Sequence, residues 1–248
     1  MQDSLQIVTA PAPRHAERQA LVDVTTAGAG SLTDGRMLVA EKQVVIVRHG
    51  LTTWNEQRRI QGASDESVLT AFGERQAVRC RDALSRVPFD SCFSSPIRRA
   101  ARFADIMWEG RDAPLVRTDS LKEAYLGWLQ GMRQEDAAAQ HETTFRQWRE
   151  NPAAFGIGDR YPVDEVFAEA KNAWQQVLDA PGSIHLIVTH KSILRALLCV
   201  ALGLPPTAFR AVDVHNGGIC NFRVNRRGEP MLVNLNLTSH MHTDGVFY

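Results

Sequence analysis

Short apolar runs separated by amphipathic stretches set the pattern of this chain. Val44 to Val47 are consecutive β-branched apolar residues and predict a buried strand. Helical spacing follows at Ala77, Cys80, Ala83, Leu84 and Val87, with Thr70 as N-cap, Glu74 near the start and Pro88 at the end. Phe89 to Phe93 predicts a second strand, and Ser95-Pro96 reads as the cap and first position of another helix. Leu115 to Arg117 predicts a third strand. Met132 to Pro152 predicts one helix with Phe145 and Trp148 on one face, and residues 153–161 a loop. Pro162 opens a helix through Leu178, with Val166, Ala170, Ala173, Trp174 and Val177 inward. After a turn at Pro181-Gly182, the run IHLIVTH ending at His190 predicts the clearest buried strand. The apolar stretch after it predicts a helix stopped by Gly203 and Pro205. Phe209 to Asn234 reads as three strands turning at His215 to Gly218 and at Arg226-Arg227-Gly228.

Alternation of strands and helices from Val44 to Leu237 indicates one α/β domain, taken as residues 43–248. Residues 1–42, with Pro11 and Pro13 and no periodic apolar pattern, read as a flexible or loosely docked arm. Lys plus Arg and Asp plus Glu are 28 each, so the chain carries no net formal charge. That argues against nucleic acid or an anionic membrane as the main partner, and any positive potential must be local. No run of 18 apolar residues suggests a transmembrane helix. Cys80, Cys92, Cys199 and Cys220 are widely spaced and read as buried thiols. His215, His240 and His242 lack ligand spacing with carboxylates, so no metal site is expected, and His185 reads as a packed residue.

Chemistry enters where the first strand stops. Arg48, His49 and Gly50 sit at a predicted carboxyl end, where open α/β sheets bind ligands. Arg offers forked donors that fit phosphate oxygens. His offers a nitrogen able to attack phosphorus or pass a proton, and Gly lets backbone come close. Asn55 can add an amide donor. Taken alone, Arg-His-Gly fits equally a capped strand with a solvated Arg. His190 holds the matching position after its own strand, at a helix start that favours an anion.

The longer string RHGLTTWN, followed by RIQG, resembles the histidine phosphatase superfamily, the phosphoglycerate mutase-like enzymes. SPIRRA is similar to the family's S-x-L-x-R-A and selects Arg99 as a phosphate ligand, with Arg102-Phe103 where Gln-Thr is usual. LKEAYLGWLQG matches the family's acidic loop at Leu121, Glu123, Gly127 and Gly131, with Gln130 in place of a Glu. The resemblance makes Glu123 the general acid. A carboxyl in that role must hold a proton to give, which partial burial favours. His190 is followed by Lys191-Ser192 rather than Gly-Gly. Lys191 either meets a substrate carboxylate or is a surface charge. Only Glu165 remains of a family motif at the Pro162 helix. Trp128, Trp148 and Tyr161 read as core or lid residues.

Within the superfamily these strings look most like the plant and algal 2-carboxy-D-arabinitol 1-phosphatase group. The resemblance implies a three-layer α/β/α sandwich around a mostly parallel sheet. It also implies a chloroplast stroma protein, the alternative being cytoplasmic, with residues 1–42 as a transit-peptide remnant. Their acidic residues Asp3, Glu17, Asp23 and Asp34 count against that last point. The implied reaction is hydrolysis of a small phosphorylated sugar or sugar acid through a phosphohistidine on His49. Arg48, Asn55, Arg99 and a cationic His190 hold the phosphoryl oxygens, without metal or other cofactor. Gln61, Gly62 and Lys191 are candidate substrate contacts, and selectivity is expected from residues 56–66 and 126–165, with Leu51. A phosphoglycerate mutase is the alternative enzyme. Ile60-Gln61-Gly62-Ala63 stands where mutases carry Thr-Gly-Trp, and the usual longer insertion is missing, which favours hydrolysis. A non-catalytic phospholigand binder is the third reading. No oligomeric state is implied.

Overall fold

The computed structural model describes residues 31–244, and the segment 1–30 of the expected N-terminal arm lies outside them. A six-stranded sheet runs in the order β3-β2-β4-β1-β5-β6. The strands are β1 Lys42–Arg48, β2 Ser91–Ser94, β3 Leu115–Arg117, β4 Ile184–Thr189, β5 Ile219–Val224 and β6 Pro230–Leu237. The first four named in that order pair in parallel, whereas β5 pairs antiparallel with both β1 and β6. Strand alternation divides the interior in two. Val44, Ile46 and Ile187 face one core with α6 (Pro162–Asp179) and α7 (Lys191–Ala201). Val45, Val47, Leu186 and Val188 face the other with α2 (Ala71–Ala83) and α3 (Arg98–Trp108). The result is a three-layer α/β/α sandwich.

A smaller apolar cluster of Ile60, Leu126, Leu129, Ala137, Phe155 and Ile157 forms a cap, with Phe145 and Trp148 packed against it. It joins the turn after α1 (Thr53–Glu56) to α4 (Gln134–Gln140) and α5 (Glu142–Glu150). The single helix expected from Met132 to Pro152 is therefore two. His141 leaves helical geometry at φ −137°, with its ring 4.3 Å from that of Trp128. The strand expected from Phe209 is a loop. The carbonyls of Val212 and Val214 accept from Arg195 and Arg48 rather than from a ladder. Thr70 does cap α2, its side chain accepting from Gly73 N–H. Ser95 does not cap α3. That helix begins at Arg98, whose N–H donates to Asp65 at 2.7 Å. Residues 31–38 lie on the β5–β6 turn, where Leu32 and Leu38 N–H donate to Gly228 and Arg226 carbonyls.

Candidate active site

Strand register builds the centre of the site. Arg48 pairs with Thr189 and Ser94 with Val188, so three neighbouring strands end side by side. The next residues along them are His49, His190 and Ser95. The two imidazoles, remote in sequence, stand with ring centroids 5.0 Å apart in an edge-to-face arrangement. His49 Nδ1 donates to Gly50 O at 2.7 Å, which leaves Nε2 with its lone pair. His190 Nε2 pairs with Ser95 Oγ at 2.8 Å. His190 Nδ1 is buried without a protein partner.

Two guanidinium groups flank these rings. Arg48 donates to Val214 O at 2.7 Å, and Arg99 to Ser64 O and Gly62 O at 2.6 Å. The Nε atoms of both are buried and unpartnered. Desolvation pulls both guanidiniums down to about 10, so both stay charged at neutral pH. Burial first, then the fields of the two arginines, hold both imidazoles well below their usual range. This corrects the expected cationic His190: in the free site both rings are neutral.

A cleft of about 220 Å³ opens over this centre. It is lined by Arg48, His49, Asn55, Gln61, Gly62, Arg99, Glu123 and Lys191 among the residues singled out from the sequence, with His190 fully buried behind it. Asn55 Oδ1 accepts from Thr52 N–H and Oγ–H, so its amide NH₂ is the group left to donate. Gln61 Oε1 lies 3.1 Å from the same Thr52 hydroxyl and shares its single hydrogen with Asn55. Glu123 accepts from Ser192 N–H at 3.1 Å, at the start of α7, and from Ala124 N–H. Lys191 is committed to an ion pair with Asp213 at 2.8 Å.

Other expectations shift. Gly50 is needed less by a ligand than by α2: an added Cβ would meet Gly73 O at 2.5 Å. Leu51 does not line the cleft; its backbone is held by Gln76 and Thr70. Glu165 lies outside it too, in a bidentate pair with Arg160. Gln130, in place of the family Glu, accepts from Ala63 and Leu126 N–H and ties the Gly62 loop to the cap. Sequence reasoning missed Ser95 as the partner of His190. It missed Asn216, which donates to the carbonyls of His49 and Gly50. It also missed Arg59, Arg195 and Arg210 on the cleft wall. Seven cationic side chains line the cleft against one carboxylate, Glu123.

Parallel strands ending in buried imidazoles, flanked by two guanidiniums without carboxylate partners, define an α/β protein of phosphoglycerate mutase-like fold. The chain belongs to the histidine phosphatase superfamily (branch 1), whose family model matches residues 44–238. It is 39% identical over 189 residues to a probable 2-carboxy-D-arabinitol-1-phosphatase of Arabidopsis thaliana and 39% identical over 201 residues to 2-carboxy-D-arabinitol-1-phosphatase of Triticum aestivum. These matches cover 76% and 80% of this chain but 39% and 41% of the relatives, so it spans about two-fifths of their length. Among solved structures, Bacillus stearothermophilus YhfR aligns with a TM-score of 0.77 at 26% identity, over 81% of this chain and 100% of that one. No helix among the described residues is long and apolar enough to cross a membrane.

Proposed function

We propose that residues 43–248 act as one phosphomonoester hydrolase unit on a small phosphorylated sugar or sugar acid, such as 2-carboxy-D-arabinitol 1-phosphate, through a phosphohistidine. The observation that carries the reading is the 5.0 Å approach of the His49 and His190 rings beside Arg48 and Arg99. His49 Nε2 attacks phosphorus as the P–O ester bond breaks, and Glu123 gives its proton to the leaving oxygen. Water then attacks the phosphohistidine, the P–N bond breaks, Glu123 recovers a proton and orthophosphate leaves. Arg48, Arg99, the Asn55 amide and His190 balance charge on the equatorial oxygens. Gln61 and Gly62 contact the substrate. The chain's own cations supply the positive field, so the mechanism calls on no metal or cofactor.

The names of the two plant relatives support hydrolysis. A chloroplast stroma location rests on the plant origin of those relatives, and a fluorescent fusion tests it; a cytosolic signal would reject it. Phosphate release from a panel of sugar phosphates, with and without 2,3-bisphosphoglycerate, tests the reaction. Isomerisation that depends on the bisphosphate would replace the hydrolase by a mutase. His49→Ala should lose both turnover and acid-labile phosphate incorporation, and normal turnover in that variant would remove the nucleophile.

A further inference from the structure

The positive charge of the cleft exceeds what one phosphoryl group needs. Beyond Arg48 and Arg99, the wall carries Arg149 on α5, Arg195 on α7 and Arg210 in the loop that follows. Trp148 and Phe209 line the same stretch. Arg210 donates to Trp148 O at 2.7 Å, which ties the loop to α5. The Arg149 and Arg210 guanidiniums lie 5.6 and 5.9 Å from the Trp148 ring, and that of Arg195 lies 5.7 Å from Phe209. Three like charges thus share one aromatic-walled corner.

Their counterions are few. Asp213 lies 3.2 Å from Arg195 and is also bound to Lys191. Among the described residues no carboxylate pairs with Arg149 or Arg210, and Arg210 Nε is buried without a partner. Burial, then the charges of Arg149 and Arg195, lower Arg210 to about 10. Arg195 also acts on Arg48, so the field of this corner reaches the His49 end of the cleft. Grouped guanidiniums repel one another, and an oxyanion between them relieves that repulsion with charge-assisted hydrogen bonds.

We propose that this corner is a second anion subsite, in which Arg149 and Arg210, backed by Arg195, bind a carboxylate or second phosphate at the far end of the ester. The assignment rests on the hydrolase reading for its substrate, since the ester must present its phosphoryl group to His49. It makes Arg149 and Arg210 specificity-determining residues. Sugar phosphates with a neutral tail are then poor substrates beside esters carrying a second anionic group.

The test uses matched esters that differ only in the remote group. Carboxylate arms are 3-phosphoglycerate against glycerol 1-phosphate, 4-phosphoerythronate against erythritol 4-phosphate, and 6-phosphogluconate against sorbitol 6-phosphate. The phosphate arm is ribulose 1,5-bisphosphate against ribulose 5-phosphate. For at least one pair kcat/KM should favour the doubly charged ester by about tenfold or more, the scale of one charge-assisted hydrogen bond. The arm that shows the preference identifies the oxyanion. Arg149→Gln should lower that ratio about tenfold, mainly through KM, and Arg149→Glu should lower it further. Arg149 is exposed, so neither change threatens the fold. Arg146→Gln, on the same helix but off the cleft wall, should leave the ratio unchanged. Equal kcat/KM within every pair, with p-nitrophenyl phosphate still hydrolysed, overturns the subsite and spares the hydrolase. An unchanged ratio in Arg149→Gln and Arg149→Glu also overturns it. If no ester is turned over, calorimetry on His49→Ala decides. Tighter binding of the doubly charged member keeps the subsite while the hydrolase reading falls. Equal or absent binding ends both.

Discussion

Ser95→Ala isolates one hydrogen bond at the centre of the site. Ser95 Oγ accepts from Ile97 N–H at 3.2 Å and meets His190 Nε2 at 2.8 Å. Ile97 takes one of the two hydroxyl lone pairs, and we assign the hydroxyl hydrogen to Nε2, the other partner of Oγ among the described residues. The ring hydrogen of the neutral His190 then sits on Nδ1, the nitrogen with no protein partner. In the proposed reaction that hydrogen is the one His190 gives to a phosphoryl oxygen. Removing the hydroxyl leaves Nε2 buried and unpaired, at about 1–3 kcal/mol of stability, or a fall in Tm of about 3–9 °C for a chain of this size. It also frees the ring to carry its hydrogen on Nε2, which turns a lone pair toward the phosphoryl group. Losing a hydrogen bond to a charged oxygen costs about 1.5–3 kcal/mol, so kcat/KM should fall about ten- to a hundredfold. Steady-state kinetics on the ester panel and imidazole ¹⁵N shifts read the two effects separately. Ser95→Thr, which keeps a hydroxyl, should restore most of the rate and the shift pattern. Wild-type kcat/KM with unchanged His190 ¹⁵N shifts in Ser95→Ala would refute the tautomer assignment.

Glu123→Gln should slow esters with poor leaving groups about 10²–10⁴-fold while aryl phosphates, which need no proton, lose far less; equal losses would reduce Glu123 to a wall of the cleft. Gly62→Ala places a Cβ 2.4 Å from Gln130 Oε1 on a backbone at φ +49°, so the tie between the Gly62 loop and the cap should open. The expected cost is about 1–3 kcal/mol with a rise in KM, and an unchanged thermal melt and KM would contradict it. Acid should unfold the protein early. Burial, with Lys42 nearby, holds His185 down to about 4, and His49 and His190 also lie well below their usual range. All three rings are neutral when folded but titrate near 6.5 once unfolded, so their stabilisation is complete above about pH 6.5 and lost as pH falls toward the folded values. For His185 alone the loss is about 3 kcal/mol, and equal unfolding free energies at pH 7.5 and pH 5 would exclude it.

The centre of the site was legible because it follows from strand ends. Two apolar runs, each leading within two residues into a His, put both imidazoles at strand carboxyl ends, whereas the pairing of β1 with β4 that brings them together is a long-range contact neither run announces. Arg99 and Glu123 carried no such local signal and emerged only through the superfamily strings around them. The cap was read poorly for a tertiary reason. Met132 to Pro152 has continuous helical periodicity, yet the backbone leaves helical geometry at His141, whose ring packs on Trp128. Residues 209–214 have strand-like composition, but their carbonyls serve two guanidiniums instead of a neighbouring strand. Asp65 caps a helix that starts at Arg98, a pairing across 33 residues that no spacing rule reaches.

Electrostatics explains why the same residues matter to the cleft and cost the fold. Arg48 and Arg99 are almost wholly buried, yet they bond to carbonyls and leave their Nε atoms unpaired. A buried cation served only by neutral acceptors recovers less than its desolvation. Full pairing with carboxylates would lower that cost, but it would also cancel the field that an incoming anion needs. The chain therefore keeps zero net charge overall while lining one cleft with seven cations. Burial and the neighbouring cations hold both imidazoles well below their usual range, which leaves His49 the lone pair that the proposed attack requires. A sequence-wide charge balance hides this arrangement, because 28 carboxylates match 28 cations over the whole chain while Glu123 alone of the described carboxylates lines the cleft. The local imbalance is a property of the fold, created where α5, α7 and the ends of β1 and β2 converge on one cleft.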